Sequence, residues 1–400
     1  MIPIANPEIT AEDKEAVLQV LESGMLASGP EVKKFEEEFA SFIGADYGVA
    51  TTSGTTALDT AVQASGLQEG DRVITTPFTF IASSNSLLFN SVEPVFVDID
   101  LETFNLDPVK VRAELEKDAE IRGILPVHLF GQTADMTELQ SLAEEYNLIV
   151  IEDAAQAHGA AHNGRRAGSF GQVGVFSFYP TKNMTTGEGG MLVTSDPEIA
   201  SRARKIINHG RTGNYRHEVL GHNFRPTDLA AALGRQQLQR LEDYNKKRRQ
   251  HARFLTKNLQ EMDWLEVPEE REGNYHVYHQ YTVKLRPFSQ GDFEAAKKAG
   301  EKKNEIDYFA EVRKFRDRLA IHLKAKGVGC GIYYPLSVHK QPLYRQQGYD
   351  SYSCPGAEVA SAQVLSLPVH PSLKDSELEQ IVAAVRSFAG KTASGQCLIK

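Results

Sequence analysis

From Arg72 onward, short apolar runs alternate with segments of helical spacing. The runs are Arg72–Thr76, Pro94–Asp98, Gly123–Leu129, Leu148–Glu152, Val173–Phe178 and Met191–Thr194. Helical patterns separate several of them, over Phe80–Asn90, Asp107–Lys117 and Met136–Glu145. Ahead of these, Glu31–Phe42 sets Val32, Phe35, Phe39 and Phe42 near one helical face, and Gly54–Ala64 reads as a helix of small residues. Continuous apolar strands separated by helices predict an α/β fold, a mostly parallel sheet with helices on both faces. In such folds ligands bind at the carboxyl ends of the strands.

Near Ser201–Lys205 the pattern changes. Leu229–Arg249 predicts one long helix, with Leu229, Leu233, Leu238 and Leu241 as its apolar positions. This organisation predicts a large α/β domain over 1–250 and a smaller α+β domain over 251–400. Strand candidates in the second are His279–Leu285 and Gly331–Tyr334. Between them a charge-dense stretch near 289–318 reads as a solvated helical face or an insertion.

Composition narrows the function classes. The 400 residues are 41% hydrophobic and 24% charged, ordinary values for a soluble globular protein. A net charge of −9 argues against a nucleic-acid binder held by phosphate contacts. Cys330, Cys354 and Cys397 show no metal-ligand spacing and no disulfide framework, which points to a reducing cytoplasm and to no metal. The N-terminus reads as no signal peptide, and no run of about 18 apolar residues suggests a membrane span.

Three stretches carry candidate chemistry. In "VATTSGTTALDTAV", Gly54 stands before Thr55 and Thr56 at a helix start. Unpaired N–H groups there suit a phosphate, although an ordinary cap by Ser53 or Thr55 uses the same residues. In "LIVIEDAAQAHGA", Asp153 closes an apolar strand after Glu152. It suits a cationic ligand atom, the cap of a following helix, or a metal of Walker-B type, but the partner G-x-x-x-x-G-K-[ST] is absent. In "FSFYPTKNMTTGEGG", Lys182 is the lone lysine past a strand end, with Ser177 five positions before it. A phosphate cup, an aspartate and an isolated amine are what pyridoxal phosphate requires. Its phosphate needs an anion site, its ring nitrogen a carboxylate and its aldehyde a lysine.

With these residues go "TTPFTFIASSNSLL", "GHNFRPTDLAAALGRQQL", "YYPLSVHKQPLY" and "LSLPVHP". Together, and in this order, they resemble the DegT/DnrJ/EryC1/StrS aminotransferases over nearly the whole chain. The resemblance implies the aspartate-aminotransferase (type I) fold and a pyridoxal 5′-phosphate enzyme that passes through pyridoxamine 5′-phosphate. It implies amination of a nucleotide-linked keto sugar with glutamate as donor. It makes Lys182 the Schiff-base lysine and Asp153 the partner of the pyridine nitrogen. Gln156 takes the place near the phenolic oxygen, and Phe80 that of the ring stacked on the cofactor. Gly54, Thr55 and Ser177 match phosphate ligands, with Thr56 as a backbone contributor. Asn223 matches an asparagine that reaches the phosphate of a neighbouring subunit, which implies a homodimer with a shared site. Arg225, Tyr333, Tyr334 and His339 fall in segments that resemble substrate-facing ones. His128 and His158 read as structural or supporting groups. The same cofactor residues also serve two alternatives, an aminotransferase acting on a cyclitol or related keto compound, and a non-catalytic pyridoxal-phosphate-binding regulatory protein.

Overall fold

The structure is a computed structural model that describes residues 1–286 and 302–388, with side chains described from 309 in the second span. Its centre is a seven-stranded sheet. Nine strands lead through this part of the chain: β1 (Tyr47–Thr51), β2 (Arg72–Thr75), β3 (Glu93–Phe96), β4 (Ile121–Leu125), β5 (Ile149–Asp153), a small hairpin of β6 (Ala161–His162) and β7 (Arg165–Arg166), then β8 (Val173–Ser177) and β9 (Gly190–Thr194). The sheet order is β1-β9-β8-β5-β4-β2-β3. Pairings among β2, β3, β4, β5 and β8 are parallel, while β9 runs antiparallel to both β8 and β1. The expected mostly parallel sheet is therefore present.

Helices cover the sheet: α1 (Ala11–Ser23), α2 (Pro30–Ile43), α3 (Gly54–Ala64), α4 (Ala82–Phe89), α5 (Pro108–Leu115), α6 (Met136–Tyr146), α7 (Pro197–Ile206) and α8 (Asp228–Leu259). The phenylalanine face expected for α2 holds: Phe35 and Phe39 are buried against Phe178, with ring centroids 5.2 Å apart in both pairs. Asp228, at the first turn of α8, accepts N–H bonds from Gly29 and Val32 at 2.8 and 3.0 Å and so ties α8 to the start of α2.

Two elements escape the pattern reading. Helix α1 buries only Asp13 and Val20, so it shows little apolar periodicity; its start is fixed by a capping box between Thr10 and Asp13. Strand β1 contains Gly48, a poor strand former, because a Cβ there would come within 2.6 Å of the Glu36 carbonyl oxygen. Helix α8 also extends beyond Arg249 to Leu259, and Ala252, Leu255 and Leu259 belong to a second core.

That second core packs on a three-stranded antiparallel sheet of Leu265–Glu266, Tyr281–Leu285 and Val364–Leu367. Gly331–Tyr334 is not a strand; only Gly331 forms an isolated bridge, to Ser366. Of the charge-dense stretch, 289–301 lies outside the described residues. Lys302–Ala325 is a helix, and it is not simply a solvated face: Val312, Phe315, Leu319 and Leu323 are buried. Cys397 also lies outside the described residues. No described helix is long and apolar enough to cross a membrane.

Candidate active site

Strands β5 and β8 are parallel neighbours, so Asp153 and Ser177 end on the same edge of the sheet. Successive side chains of a strand point to opposite faces. Glu152 and Asp153 therefore have different fates. Glu152 is fully buried. Its carboxylate accepts N–H bonds from Gly168 (2.7 Å), Phe170 (2.6 Å) and Gly171 (2.6 Å). It also accepts the Nε2–H of His128 at 2.8 Å; His128 Nδ1 is taken by the Ala134 N–H at 3.1 Å, which fixes the tautomer. Glu152 and His128 thus pin the 168–171 loop. Asp153 lines a cavity of about 480 Å³ instead. Its Oδ2 accepts the Ser83 hydroxyl at 2.6 Å and its Oδ1 the Ala155 N–H at 3.1 Å.

Lys182 lines the same cavity. The chain turns there, with Lys182 N–H on the Tyr179 carbonyl at 2.9 Å and Phe178 N–H on the Gly189 carbonyl at 2.9 Å. Among the described residues no group hydrogen-bonds the Lys182 amine. Burial pushes its pKa down to about 8, against the opposing pull of the Asp153 charge. At neutral pH roughly a tenth of such an amine is unprotonated and nucleophilic. His158 lies near it, packed against Phe176 and Phe178. Burial first, and then the Lys182 charge, drives that imidazole down to about 3, so it is neutral.

The anion cup forms where α3 starts. Ser53 caps the helix by accepting the Thr56 N–H at 3.1 Å, and Thr56 Oγ1 accepts the Ser53 N–H at 3.0 Å. Thr56 is spent in this capping box and does not line the cavity. Gly54 and Thr55 occupy the first helical positions, whose N–H groups have no partner within the helix. Gly54 is glycine because a Cβ would stand 2.6 Å from the Ser177 Cβ. That close approach brings the helix start and the Ser177 hydroxyl into one cup. Gly190 does similar work from β9: its Cβ would lie 2.2 Å from the Ser53 carbonyl oxygen.

The walls are aromatic. Phe80 leaves 56% of its surface exposed, high for a ring lining a cavity. Tyr334 lies 6.3 Å from it between ring centroids. Gln156 is held on both sides, accepting the Phe130 N–H at 2.9 Å and donating to the Tyr334 oxygen at 3.1 Å. Burial raises the Tyr334 phenol, so it stays neutral. Tyr333 joins the same wall.

Gly54, Thr55, Phe80, Asp153, Gln156, Ser177, Lys182, Tyr333 and Tyr334 are thus brought together, and the remaining candidates stand apart. Asn223 is exposed in the loop before α8 and pairs with Asn208 through the backbone. Arg225 donates to Asn208 Oδ1 at 2.6 Å and lines a separate hollow with Glu36 and Arg204. His339 is fully buried, 3.4 Å from Glu358 and against the Phe96 ring, away from the cavity. Sequence reasoning missed Thr79, Ser83, His279 and Gln280, which line the cavity. Ser83 carried a signal: it lies three positions after Phe80 in "FTFIASS", near one face of a helical turn. Gln280 carried none.

The donor set fits pyridoxal phosphate. Two open N–H groups and two hydroxyls suit a phosphate, a buried carboxylate suits a protonated ring nitrogen, an unpartnered amine suits an aldehyde, and an exposed Phe80 face suits a flat ring.

Comparison with known proteins agrees with this chemistry. The profile of the DegT/DnrJ/EryC1/StrS aminotransferase family matches residues 7–307 and 301–386. A "Pleiotropic regulatory protein" of Geobacillus stearothermophilus is 38% identical over 382 residues, 94% of this chain and 95% of that one. The "dTDP-3-amino-3,4,6-trideoxy-alpha-D-glucose transaminase" of Streptomyces venezuelae is 36% identical over 386 residues, 96% of this chain and 94% of that one. Among solved structures, S. venezuelae DesV "in complex with ketimine intermediate" superposes with a TM-score of 0.84 at 36% identity, covering 94% of each chain.

Proposed function

The chain belongs to the DegT/DnrJ/EryC1/StrS aminotransferase family, and we propose that it uses pyridoxal 5′-phosphate to move an amino group from glutamate to the keto group of a nucleotide-linked sugar in the cytoplasm. One observation carries this reading: a single cavity holds the Lys182 amine, the Asp153 carboxylate and the cup of Gly54, Thr55 and Ser177. Bound there, pyridoxal phosphate supplies an electron sink that lets one amino group pass between two substrates through its aldehyde carbon. Gly54 and Thr55 N–H groups and the Ser177 hydroxyl hold the phosphate. Asp153 keeps a proton on the ring nitrogen. Lys182 Nζ would hold the aldehyde and would take up and return the substrate's α-proton. Phe80 covers one face of the ring. Tyr334 keeps Gln156 aimed at the ring edge. Names given to relatives support the sugar substrate, since the Streptomyces venezuelae protein is called a dTDP-sugar transaminase.

The test uses the two half-reactions separately. Glutamate is expected to bleach the yellow holoprotein, and a nucleotide-linked keto sugar to restore the colour. If no such sugar restores it and a keto cyclitol does, the sugar reading is wrong. If glutamate leaves the colour unchanged, the assigned donor is wrong.

We further propose that Asn223 serves the phosphate of a partner copy. Asn223 is exposed and outside its own chain's cavity, on a loop with Tyr215 86% and Leu220 80% exposed. On this proposal those side chains, with Val219 beside Leu220, belong to the surface that meets the partner copy. Lys182→Ala and Asn223→Asp homodimers are each expected to be inactive. A mixed dimer keeps one intact site, so an equal mixture refolded together should recover about a quarter of wild-type activity. Recovery no greater than the parents' would place Asn223 in its own chain's site.

A further inference from the structure

Asp153 does not meet the cavity alone. Ser83 Oγ lies 2.6 Å from Asp153 Oδ2 and 2.9 Å from Thr79 Oγ1. Ser83 and Thr79 are 1% and 3% exposed, so water does not compete for these bonds. Ser83 has one hydroxyl proton to give. A second acceptor, the Phe80 carbonyl, is 3.2 Å away. The 2.6 Å contact has the length of a hydroxyl donating to an ionised carboxylate, so the proton goes to Asp153. Thr79 then donates into the Ser83 oxygen. Ser83 stands in the first turn of α4 and Thr79 in the bend just before that helix, so the turn into α4 brings the two hydroxyls together.

We propose that Thr79 and Ser83 form a hydroxyl relay that fixes the orientation and charge of Asp153, making Ser83 a positioning residue for the cofactor's ring nitrogen. This rests on the reading that Asp153 pairs with that nitrogen. With Oδ2 held by Ser83 and Oδ1 by the Ala155 N–H, the carboxylate plane is set by two different elements, α4 and the turn after β5. Donors to a carboxylate stabilise its charged form in an interior that penalises charge. Each donor in the chain polarises the next. Loss of Ser83 therefore releases the carboxylate to rotate and weakens its hold on a ring proton. Ser83→Thr keeps the hydroxyl; Ser83→Ala removes it; Thr79→Val removes only the outer link.

The experiment measures pyridoxal phosphate affinity by equilibrium dialysis and the pH midpoint of the bound cofactor's absorbance. Ser83→Ala is expected to weaken binding about tenfold and Thr79→Val by less, with Ser83→Thr close to wild type. The absorbance midpoint should rise in Ser83→Ala, since a less protonated ring puts less positive charge beside the titrating nitrogen. In an Asp153→Ala background the Ser83→Ala change should add nothing to either readout. An equal loss in both backgrounds, or an unmoved midpoint in Ser83→Ala and Thr79→Val alike, overturns the relay. Should Ser83→Ala fail to fold, Thr79→Val with an unmoved midpoint overturns it as well. If Asp153→Ala itself leaves affinity and midpoint unchanged, the reading of Asp153 fails instead.

Discussion

Lys182→Ala is expected to abolish covalent capture of pyridoxal phosphate and to lower turnover by several orders of magnitude. The amine has no hydrogen-bond partner among the described residues, lines the cavity that holds Asp153, and has a pKa pushed down to about 8 by burial. An amine of ordinary pKa would be almost wholly protonated at neutral pH and poor both as nucleophile and as base. Lys182→Arg should fail as completely, because a guanidinium does not deprotonate. The measurement is borohydride reduction of the mixed protein and cofactor, followed by peptide mass analysis. An adduct that persists in Lys182→Ala would remove Lys182 from its role. The pH dependence has a definite sign. Capture by the cofactor-free protein should quicken about tenfold per pH unit up to about 8 and then level off.

Stability also rises with pH, but in a higher window. The folded pKa of Lys182 lies below the unfolded value, so the unfolded chain binds more protons between them. The resulting penalty is full below about 8 and disappears as pH rises through the ordinary lysine range. Lys182→Met should therefore raise the urea midpoint of the cofactor-free protein at pH 7 while removing its chemistry. A substitution that stabilises and inactivates together is the mark of a group held for function rather than for folding.

How legible this was in the sequence depended on the physics behind each residue. The sheet was readable because its parallel strands are buried on both faces and stay apolar throughout. Strand β1 was not, because Gly48 is dictated by the Glu36 backbone passing over it. Lys182, Asp153 and Ser177 were readable because strand ends converge by construction. Thr56 read as a backbone contributor to the phosphate cup, but the capping box takes its N–H and its hydroxyl. Gly331–Tyr334 has an apolar look because Tyr333 and Tyr334 form a cavity wall rather than a ladder. His339 stands in a segment shared with that wall, yet its ring turns into the core beside Phe96. Asn223 and Arg225 belong to a loop whose partners are not in the same cavity. Motif position gives sequence distance, and only packing gives spatial distance.

Asp153→Asn should cut turnover about a thousandfold while leaving the borohydride-trappable adduct on Lys182 intact. Asp153 owes this effect to its surroundings. It is buried, and its oxygens receive one hydroxyl and one backbone N–H. Among the described residues no cation stands within ion-pair distance of it. Two donated hydrogen bonds stabilise the buried carboxylate by roughly 1.5–3 kcal/mol each but supply no countercharge. On the role proposed for Asp153, a protonated ring nitrogen would supply that countercharge, and the carboxylate would in turn keep the nitrogen protonated. Asparagine fits the same space and can still accept from Ser83, so the cavity and the Lys182 amine persist. It carries no charge, so the proton leaves the ring and the electron sink weakens at the step that needs it. The contrast with Lys182→Ala is diagnostic, because one variant keeps the adduct and loses the turnover, and the other loses both. Single-turnover bleaching with glutamate reads this directly. Bleaching of Asp153→Asn within tenfold of the wild-type rate would mean that the carboxylate's charge is not what the reaction uses.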